Sequence, residues 1–365
     1  MKVAIVHDWL TNMGGAERII QTFHELFPDA PIYTIVYDKE NMPIEFEKMD
    51  IRTSFIQRMP WGSKKYQAYL PLMPTAVEQF DLSEYEIVIS SSTACAKGII
   101  TKPDAVHICY CNTPMRYAWD MYHKYSKDKG RLTKSLIALL MNYIRLWDRL
   151  SADRVDYFIA NSQNVAKRIK KHYRRHSQVI YPPVDTDYYT PGSKIEDYYL
   201  VVSRLVPYKR IDIVIQAFNN LGLPLKVIGE GSELKHLKEV AKENIEFLGR
   251  LSDEQVREYY RSCKAFLFPG EEDFGITPVE AQSCGRPVIA FAKGGVLETV
   301  LEGITGLFFY EQNSEALIEA VKKFETDRDI FESKKIRGQA LKFSKAVFIE
   351  KLMAYINDKC NEFHG

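Results

Sequence analysis

Charge of one sign is the first thing this sequence lacks. Its 49 Lys and Arg stand against 48 Asp and Glu, a formal net charge of +1, which disfavours wholesale nucleic-acid binding because that rests on neutralising many phosphates. Paired cysteines are lacking too. The six, at 95, 109, 111, 263, 284 and 360, show no Cys-x-x-Cys spacing and lie mostly in apolar segments, so reduced, buried thiols in a cytoplasmic protein are expected. Cys109 and Cys111 would share one strand face, where core packing outweighs metal binding. Long apolar runs are missing: the most apolar helical stretch, Ser135 to Trp147, is interrupted by Asn142 and Arg145, and no membrane span is expected. The opening MKVAIVHD is a strand running into His7 and Asp8, too short and polar for a signal peptide. The GxGxxG dinucleotide fingerprint is also absent.

What is present is alternation. A chain of 365 residues, 46% hydrophobic, suffices for two cores, so two domains are expected. Val3 to Val6, Ile32 to Val36, Ile87 to Ile89, Val106 to Tyr110 and Tyr157 to Ala160 read as strands separated by helical patterns, the first of them at Ala16 to Phe27. Continuous apolar strands alternating with helices predict a parallel sheet covered on both faces. The segment YPPVDTDYYTPG, 181 to 192, has three prolines and no periodicity, which predicts an interdomain linker. Alternation then restarts with Tyr199 to Val202, Leu225 to Ile228, Ile245 to Leu248, Ala265 to Phe268, Val288 to Ala290 and Gly306 to Phe309. The expected domains are therefore 1–185 and 186–344, with a last helix within 345–365 crossing back to the first.

The stretch FPGEEDFGITPVE, 268 to 280, carries the chemistry. A strand ends at Pro269 and Gly270, and a helix begins near Thr277 or Pro278. Glu272 sits on the turn and Glu280 about one helical turn in, while Gly275 lets the backbone approach a ligand and the open N–H groups of the helix attract anions. Hydroxyls at one end of a ligand and phosphate in its middle would suit this pattern, although an acid at a helix start also complements the helix dipole. Ser203-Arg204-Leu205, followed by Lys209 and Arg210, ends the first strand of the same half; Gly229-Glu230-Gly231 and Leu248-Gly249-Arg250-Leu251 end the next two. Strand ends line the ligand crevice of such sheets, and Arg plus Lys there would hold a diphosphate; exposed basic residues on a helix are the alternative. In the first half, Gly14 and Gly15 open a helix after the first strand, either at an anion site or simply in a tight turn.

GGAER, SRLVPYKR, GEG, GRLSDEQ and, above all, EEDFGITPVEAQSCGRPVIAFAKGG resemble the retaining glycosyltransferases of family 4, whose α/β GT-B fold sets two Rossmann-like doubly wound domains facing across a cleft. VHDWL, LPLMP, SSSTACAKG, TPMRYAWD and NSQNVAKRI are similar to the mannosyltransferases of bacterial surface-polysaccharide assembly, of O-antigen or exopolysaccharide. The resemblance implies that Arg204 and Lys209 bind the donor diphosphate and serve catalysis, that Glu280 bonds the ribose, and that Glu272 faces the transferred sugar. It implies further that Phe274, Gly275, Ile276 and Thr277 offer backbone contacts and that Gly14 and Gly15 close over the phosphates. Gly229, Arg250 and Leu251 complete the donor rim, and Arg116 is placed with the substrate-binding residues. Family members commonly present a first-domain His near the reacting sugar, expected in this narrower group just before the TPMRY segment; this chain has Asn112, which can bond a sugar hydroxyl but cannot hold a proton near neutral pH. His107 is expected in the core.

The implied activity is transfer of a hexose, with mannose from GDP-mannose leading, to a glycan carried on a polyprenyl diphosphate. Arg, Lys and helix N–H groups can stabilise the departing diphosphate, so neither metal nor cofactor is expected; Asp185-Thr186-Asp187 and Asp327-Arg328-Asp329 read as turn acids. Between His123 and Arg175, 14 Lys and Arg meet 4 Asp. Lys127, Lys129, Arg131 and Lys134 interleave with Tyr122 and Tyr125, and KRIKKHYRR follows at 167 to 175, a pattern that suits an anionic membrane surface but also an ordinary solvated helix face. Two alternatives stay open: a sugar-nucleotide epimerase of the same fold, and a non-catalytic nucleotide-sugar-binding partner of a polysaccharide complex.

Overall fold

The apolar runs become two parallel sheets in a computed structural model that describes residues 2–120, 122 and 130–365. Tyr125, Lys127, Lys129 and the Arg131 side chain lie outside the described residues. The chain divides into two compact units, Met1–Tyr181 with Glu350–Gly365, and Pro182–Ile349.

In the first unit, β1 (Val3–His7), β2 (Ile32–Thr34), β3 (Ile51–Thr53), β4 (Ile87–Ser92), β5 (Val106–Cys111), β6 (Tyr157–Ala160) and β7 (Ser177–Val179) lie in the order β3-β2-β1-β4-β5-β6-β7, every pairing parallel. β4 and β5 are buried along their whole length, as continuous apolar runs covered on both faces must be. The edge strands β3 and β7 were not expected. They are only three residues long and carry polar side chains toward solvent, so no apolar run marks them. The chain runs outward from β1 to β3 and then returns to β4 on the other side, which puts a topological switch point at the C-terminal ends of β1 and β4.

The second unit repeats the plan. β8 (Tyr199–Val202), β9 (Leu225–Ile228), β10 (Ile245–Gly249), β11 (Phe266–Phe268), β12 (Val288–Phe291) and β13 (Gly306–Phe309) lie in the order β10-β9-β8-β11-β12-β13, again all parallel, with the switch between β8 and β11. Helices cover the sheet because their starts are specified. Ser252 and Gln255 form a reciprocal capping box on Asp253–Ser262, and the Asn313 side chain caps Ser314–Asp327; each cap satisfies a backbone N–H the helix itself cannot.

The proline-rich stretch is tied down rather than free, and the second unit begins at Pro182 instead of 186. Val184 pairs with Ser344, while the Arg337 guanidinium donates to the carbonyls of Thr186 at 3.1 Å and Tyr189 at 2.9 Å. The Asp185 carboxylate accepts the Tyr188 N–H at 2.9 Å; Asp327 closes a helix and Asp329 lies in the short turn that follows. The last helix, Lys345–His364, belongs to the first unit from Glu350 onward and to the second before it. All six cysteines are buried and form no disulfide among the described residues, and burial pushes the Cys109 thiol up to about 12. Among the described residues no helix is long and apolar enough to cross a membrane.

Candidate functional site

The second unit gathers its expected site residues at the C-terminal ends of its strands. After β8 the backbone is stitched to the next strand end: Ser203 N–H donates to the Ile228 carbonyl at 3.0 Å, and Leu205 N–H to that of Glu230 at 2.8 Å. Such approach requires glycine. A Cβ on Gly229, at φ +135°, would lie 1.9 Å from the Ser203 carbonyl oxygen, and one on Gly231 would lie 2.2 Å from that of Leu205. Gly229 N–H in turn donates to the Gly249 carbonyl at 2.8 Å, so the strand ends that carry Arg204, Gly229 and Arg250 form one rim. Arg204 and Arg250 are exposed on it and Leu251 is half-buried. The Arg204 guanidinium is steadied by the Tyr208 hydroxyl at 2.7 Å.

Across the switch point, the ammonium of Lys209 and the carboxylate of Glu272 form an ion pair with side chains 14% and 26% exposed. A cation and an anion are thus held together beside the turn into helix Ile276–Ser283. Gly275 caps that helix at φ 84°, a left-handed conformation that other residues adopt at a cost. Phe274 is buried, whereas Ile276 and Thr277 stay partly open. Glu280 is only 4% exposed and accepts the Tyr260 hydroxyl at 3.1 Å; burial, followed by the neighbouring Glu280 charge, drives that phenol well above its ordinary range. Glu280 is therefore a fixed acid, whereas Glu272 is reachable.

In the first unit, Gly14 is the extended residue before helix Gly15–Leu26, next to the end of β1. His7, buried there, reaches the Ser91 carbonyl at 3.1 Å through Nδ1 and the Glu17 carboxylate at 3.5 Å through Nε2. Burial lowers the His7 pKa, but bonding and charge from Glu17, with the Asp8 charge, outweigh it and leave the pKa raised. Asn112 follows β5; its side-chain amide nitrogen donates to Ser91 Oγ at 2.9 Å and its backbone carbonyl accepts from the Asn161 side-chain amide at 2.8 Å. Arg116 is half-buried near Asp120, whose pKa is lowered chiefly by the His172 hydrogen bond and, against burial, by Arg168. His107 is a core residue, its Nε2 2.8 Å from Ser90 Oγ, and burial drops its pKa to about 4. KRIKKHYRR divides by role. Arg168 pairs with Asp120 at 3.0 Å, His172 bonds the same acid, and Arg175 donates to the carbonyls of Ala152, Val155 and Asp156. Lys167, Lys170, Lys171 and Arg174 are exposed.

Two family models account for most of the chain: "Glycosyltransferase Family 4" matches residues 13–188 and "Glycosyl transferases group 1" matches residues 192–342. The chain belongs to the GT-B glycosyltransferase superfamily of group 1 and family 4. Among its relatives, an uncharacterised glycosyltransferase of Methanocaldococcus jannaschii is 28% identical over 225 residues, 59% of this chain and 64% of that protein, so less than two thirds of the relative is spanned. The alpha-1,3/1,6-mannosyltransferase ALG2 of Mus musculus is 23% identical over 398 residues, covering 94% of this chain and 93% of ALG2. A crystal structure of HepE of Anabaena in complex with UDP superposes with a TM-score of 0.72 at 17% identity, covering 98% of this chain and 100% of that one, a likeness of fold.

Within this GT-B chain two sets of structural residues at the strand ends escaped sequence reasoning. Gly294 and Gly295 hold the acid turn: Gly295 N–H donates to the Glu272 carbonyl at 2.9 Å, and a Cβ on either glycine would come 2.3 Å from a backbone oxygen of Glu272 or Asp273. The double glycine closing the quoted motif was the available signal. Asp8 is the other. Its carboxylate accepts from the N–H groups of Thr93, Ala94, Cys95 and Ala96 and from the Thr93 hydroxyl, at 2.5 to 2.9 Å. It fills with its own charge the amide cluster that the first switch point would otherwise offer to an anion, and nothing in the local sequence announces that.

Proposed function

We propose that this glycosyltransferase moves a hexose, mannose from GDP-mannose, to a polyprenyl-diphosphate-linked glycan of surface-polysaccharide assembly, with retention of anomeric configuration and without a metal. The observation that carries the reading is the Lys209–Glu272 pair beside the open start of helix Ile276–Ser283. Breaking the anomeric C–O bond sends negative charge onto the nucleoside diphosphate. Lys209, Arg204 and the N–H groups at the start of helix Ile276–Ser283 would stabilise that charge as charges and dipoles set in advance. Glu272, tethered to Lys209, lies where it can orient sugar hydroxyls and balance positive charge on the ring. The departing phosphate takes the acceptor proton as the acceptor attacks from the same face, so Glu272 need not be a nucleophile. Glu280 bonds the ribose. In the first unit, Gly14, Gly15, Asn112 and Arg116 are the residues assigned to substrate binding.

The choice of mannose is supported by likeness to ALG2, a mannosyltransferase matched along nearly its whole length. The polyprenyl diphosphate is supported by the excess of Lys and Arg between 123 and 175, which would place the protein at an anionic membrane surface. Thermal shift against GDP-mannose, UDP-glucose and related donors, followed by acceptor-dependent GDP release in excess EDTA, tests this. GDP-mannose should raise Tm, because a ligand that binds only the folded state stabilises it by mass action, and GDP release should require acceptor. Stabilisation by UDP-sugars alone overturns the donor; turnover without acceptor favours an epimerase.

A further inference from the structure

The site residues of the second unit lie past the C-terminal ends of its strands. At the opposite, N-terminal ends a separate cavity of about 730 Å³ opens, walled by the residues that lead into β8, β11 and β12 and by the turn into helix Ser333–Ala340. Its most buried cation is Arg286, two residues before β12 and only 4% exposed. Of the guanidinium fork, Nε lies 3.3 Å from the Cys284 carbonyl and Nη2 3.5 Å from Ser333 Oγ, both long for a charged donor. The contact with Cys284, at the C-terminal end of helix Ile276–Ser283, sets a cation against the negative end of a dipole. That end is worth roughly half a charge, which leaves much of the guanidinium unbalanced.

The acids of the cavity do not balance it either, because each has a cation of its own. Glu196 pairs with Lys194 at 3.5 Å, Asp197 with Lys264 at 2.5 Å and Asp329 with Arg328 at 3.9 Å; Lys264 is shared with Glu325 at 2.9 Å. Among the described residues no carboxylate pairs with Arg286. Burial depresses its pKa, and only the thiols of Cys263 and Cys284 act against that. Burial pushes both thiols up, Cys284 to about 12, so neither is an anion near neutral pH. A buried charge without a partner is costly, and here it borders a cavity. Gly285 completes the corner. At φ +72°, a Cβ on it would lie 1.9 Å from Ser333 Oγ, so only glycine lets the Ser333 hydroxyl sit beside the guanidinium. Ser333 opens helix Ser333–Ala340, which has no side-chain cap bond; the preceding Glu332 turns to Lys335 at 2.6 Å instead. Guanidinium, hydroxyl and the uncapped start of a helix together match a phosphate, and Pro287, Phe324 and Phe331 in the same cavity offer apolar surface to an attached organic group.

We propose that this cavity is a second ligand site of the unit, which takes a small organic phosphate with its phosphate group on Arg286, Ser333 and the start of helix Ser333–Ala340. The site stands apart from the donor reading, since it lies at the other end of the sheet and shares no residue with it. Isothermal titration of the full chain with phenyl phosphate, inorganic phosphate and benzoate tests it, with Arg286→Gln, Ser333→Ala and Arg204→Ala beside wild type. Wild type should bind phenyl phosphate more tightly than inorganic phosphate, and Arg204→Ala should bind it as wild type does. Arg286→Gln should weaken that binding about tenfold or more and Ser333→Ala about threefold. Should circular dichroism show Arg286→Gln unfolded, Ser333→Ala, at a partly exposed helix start, decides. Wild type that binds neither phosphate overturns the site. Binding that is lost in Arg204→Ala and kept in Arg286→Gln or Ser333→Ala places the phosphate at the donor rim and overturns it as well. Benzoate bound more tightly than both phosphates overturns the phosphate assignment.

Discussion

The Lys209 ammonium is paired with the Glu272 carboxylate, although 63 residues separate them. β8 and β11 are neighbours in the sheet, and the switch between them brings the two loops together. On the proposed reading, removing the lysine does two things: it deletes a phosphate cation and leaves a half-buried carboxylate facing the donor diphosphate. We expect Lys209→Ala to lower kcat/KM by about 2–4 kcal/mol and Arg204→Ala, an exposed cation, by about 2 kcal/mol. Donor affinity should partly recover in Lys209→Ala/Glu272→Gln. Isothermal titration with the donor checks the order; a double variant weaker than Lys209→Ala alone would contradict it.

The two acids differ in surroundings, and their kinetics should differ too. Glu280→Gln should raise the donor KM, since the acid is fixed by Tyr260 at 3.1 Å and, on the proposed reading, bonds the ribose, far from the bond that breaks. Tyr260→Phe should reproduce some of that rise. Glu272→Gln should instead depress kcat, because a charge that matters as the anomeric bond lengthens acts in the transition state. A kcat loss that follows Glu280 reverses the placement of sugar and ribose.

Asp8 predicts a stability effect without a site effect. Four backbone N–H groups and a hydroxyl converge on its carboxylate, and Asp8→Asn turns an acceptor into a donor facing donors. A loss of about 2–4 kcal/mol in unfolding free energy is expected, read by urea denaturation, with the donor KM of the folded fraction unchanged. A neutral substitution would mean that water replaces the carboxylate.

His107 sets an acid limit. Its pKa falls to about 4 on folding because burial disfavours the imidazolium, against about 6.5 in the unfolded chain. Between those values the unfolded state binds more protons, so stability is full above about pH 6.5 and declines as pH falls toward about 4, by on the order of 3 kcal/mol. His7, whose pKa is raised, works in the opposite sense and loses its contribution as pH rises through its folded value. His107→Gln, able to keep a bond to Ser90, should flatten the acid limb of Tm against pH; an unchanged limb would assign it to other groups.

Composition and periodicity by themselves determined the alternation of strands and helices, the restart after the proline-rich stretch and the run from Glu272 to Glu280, because buried parallel strands and glycine turns write themselves locally. They also located the strand ends at Arg204, Gly229 and Arg250. Pairings across the sheet lay beyond them: Asp8 meets Ala96 at a separation of 88 residues, and Lys209 meets Glu272, because strand order decides which loops become neighbours. The edge strands Ile51–Thr53 and Ser177–Val179 escaped notice because an edge needs no apolar face. KRIKKHYRR was one charge run until tertiary contacts drew Arg168, His172 and Arg175 inward. In helix Arg131–Ser151 the apolar residues form two stripes, one through Met141 and Ile144 and one through Leu139 and Leu146. Helical periodicity fits both equally well, and only packing of the first against the unit's core left the second exposed.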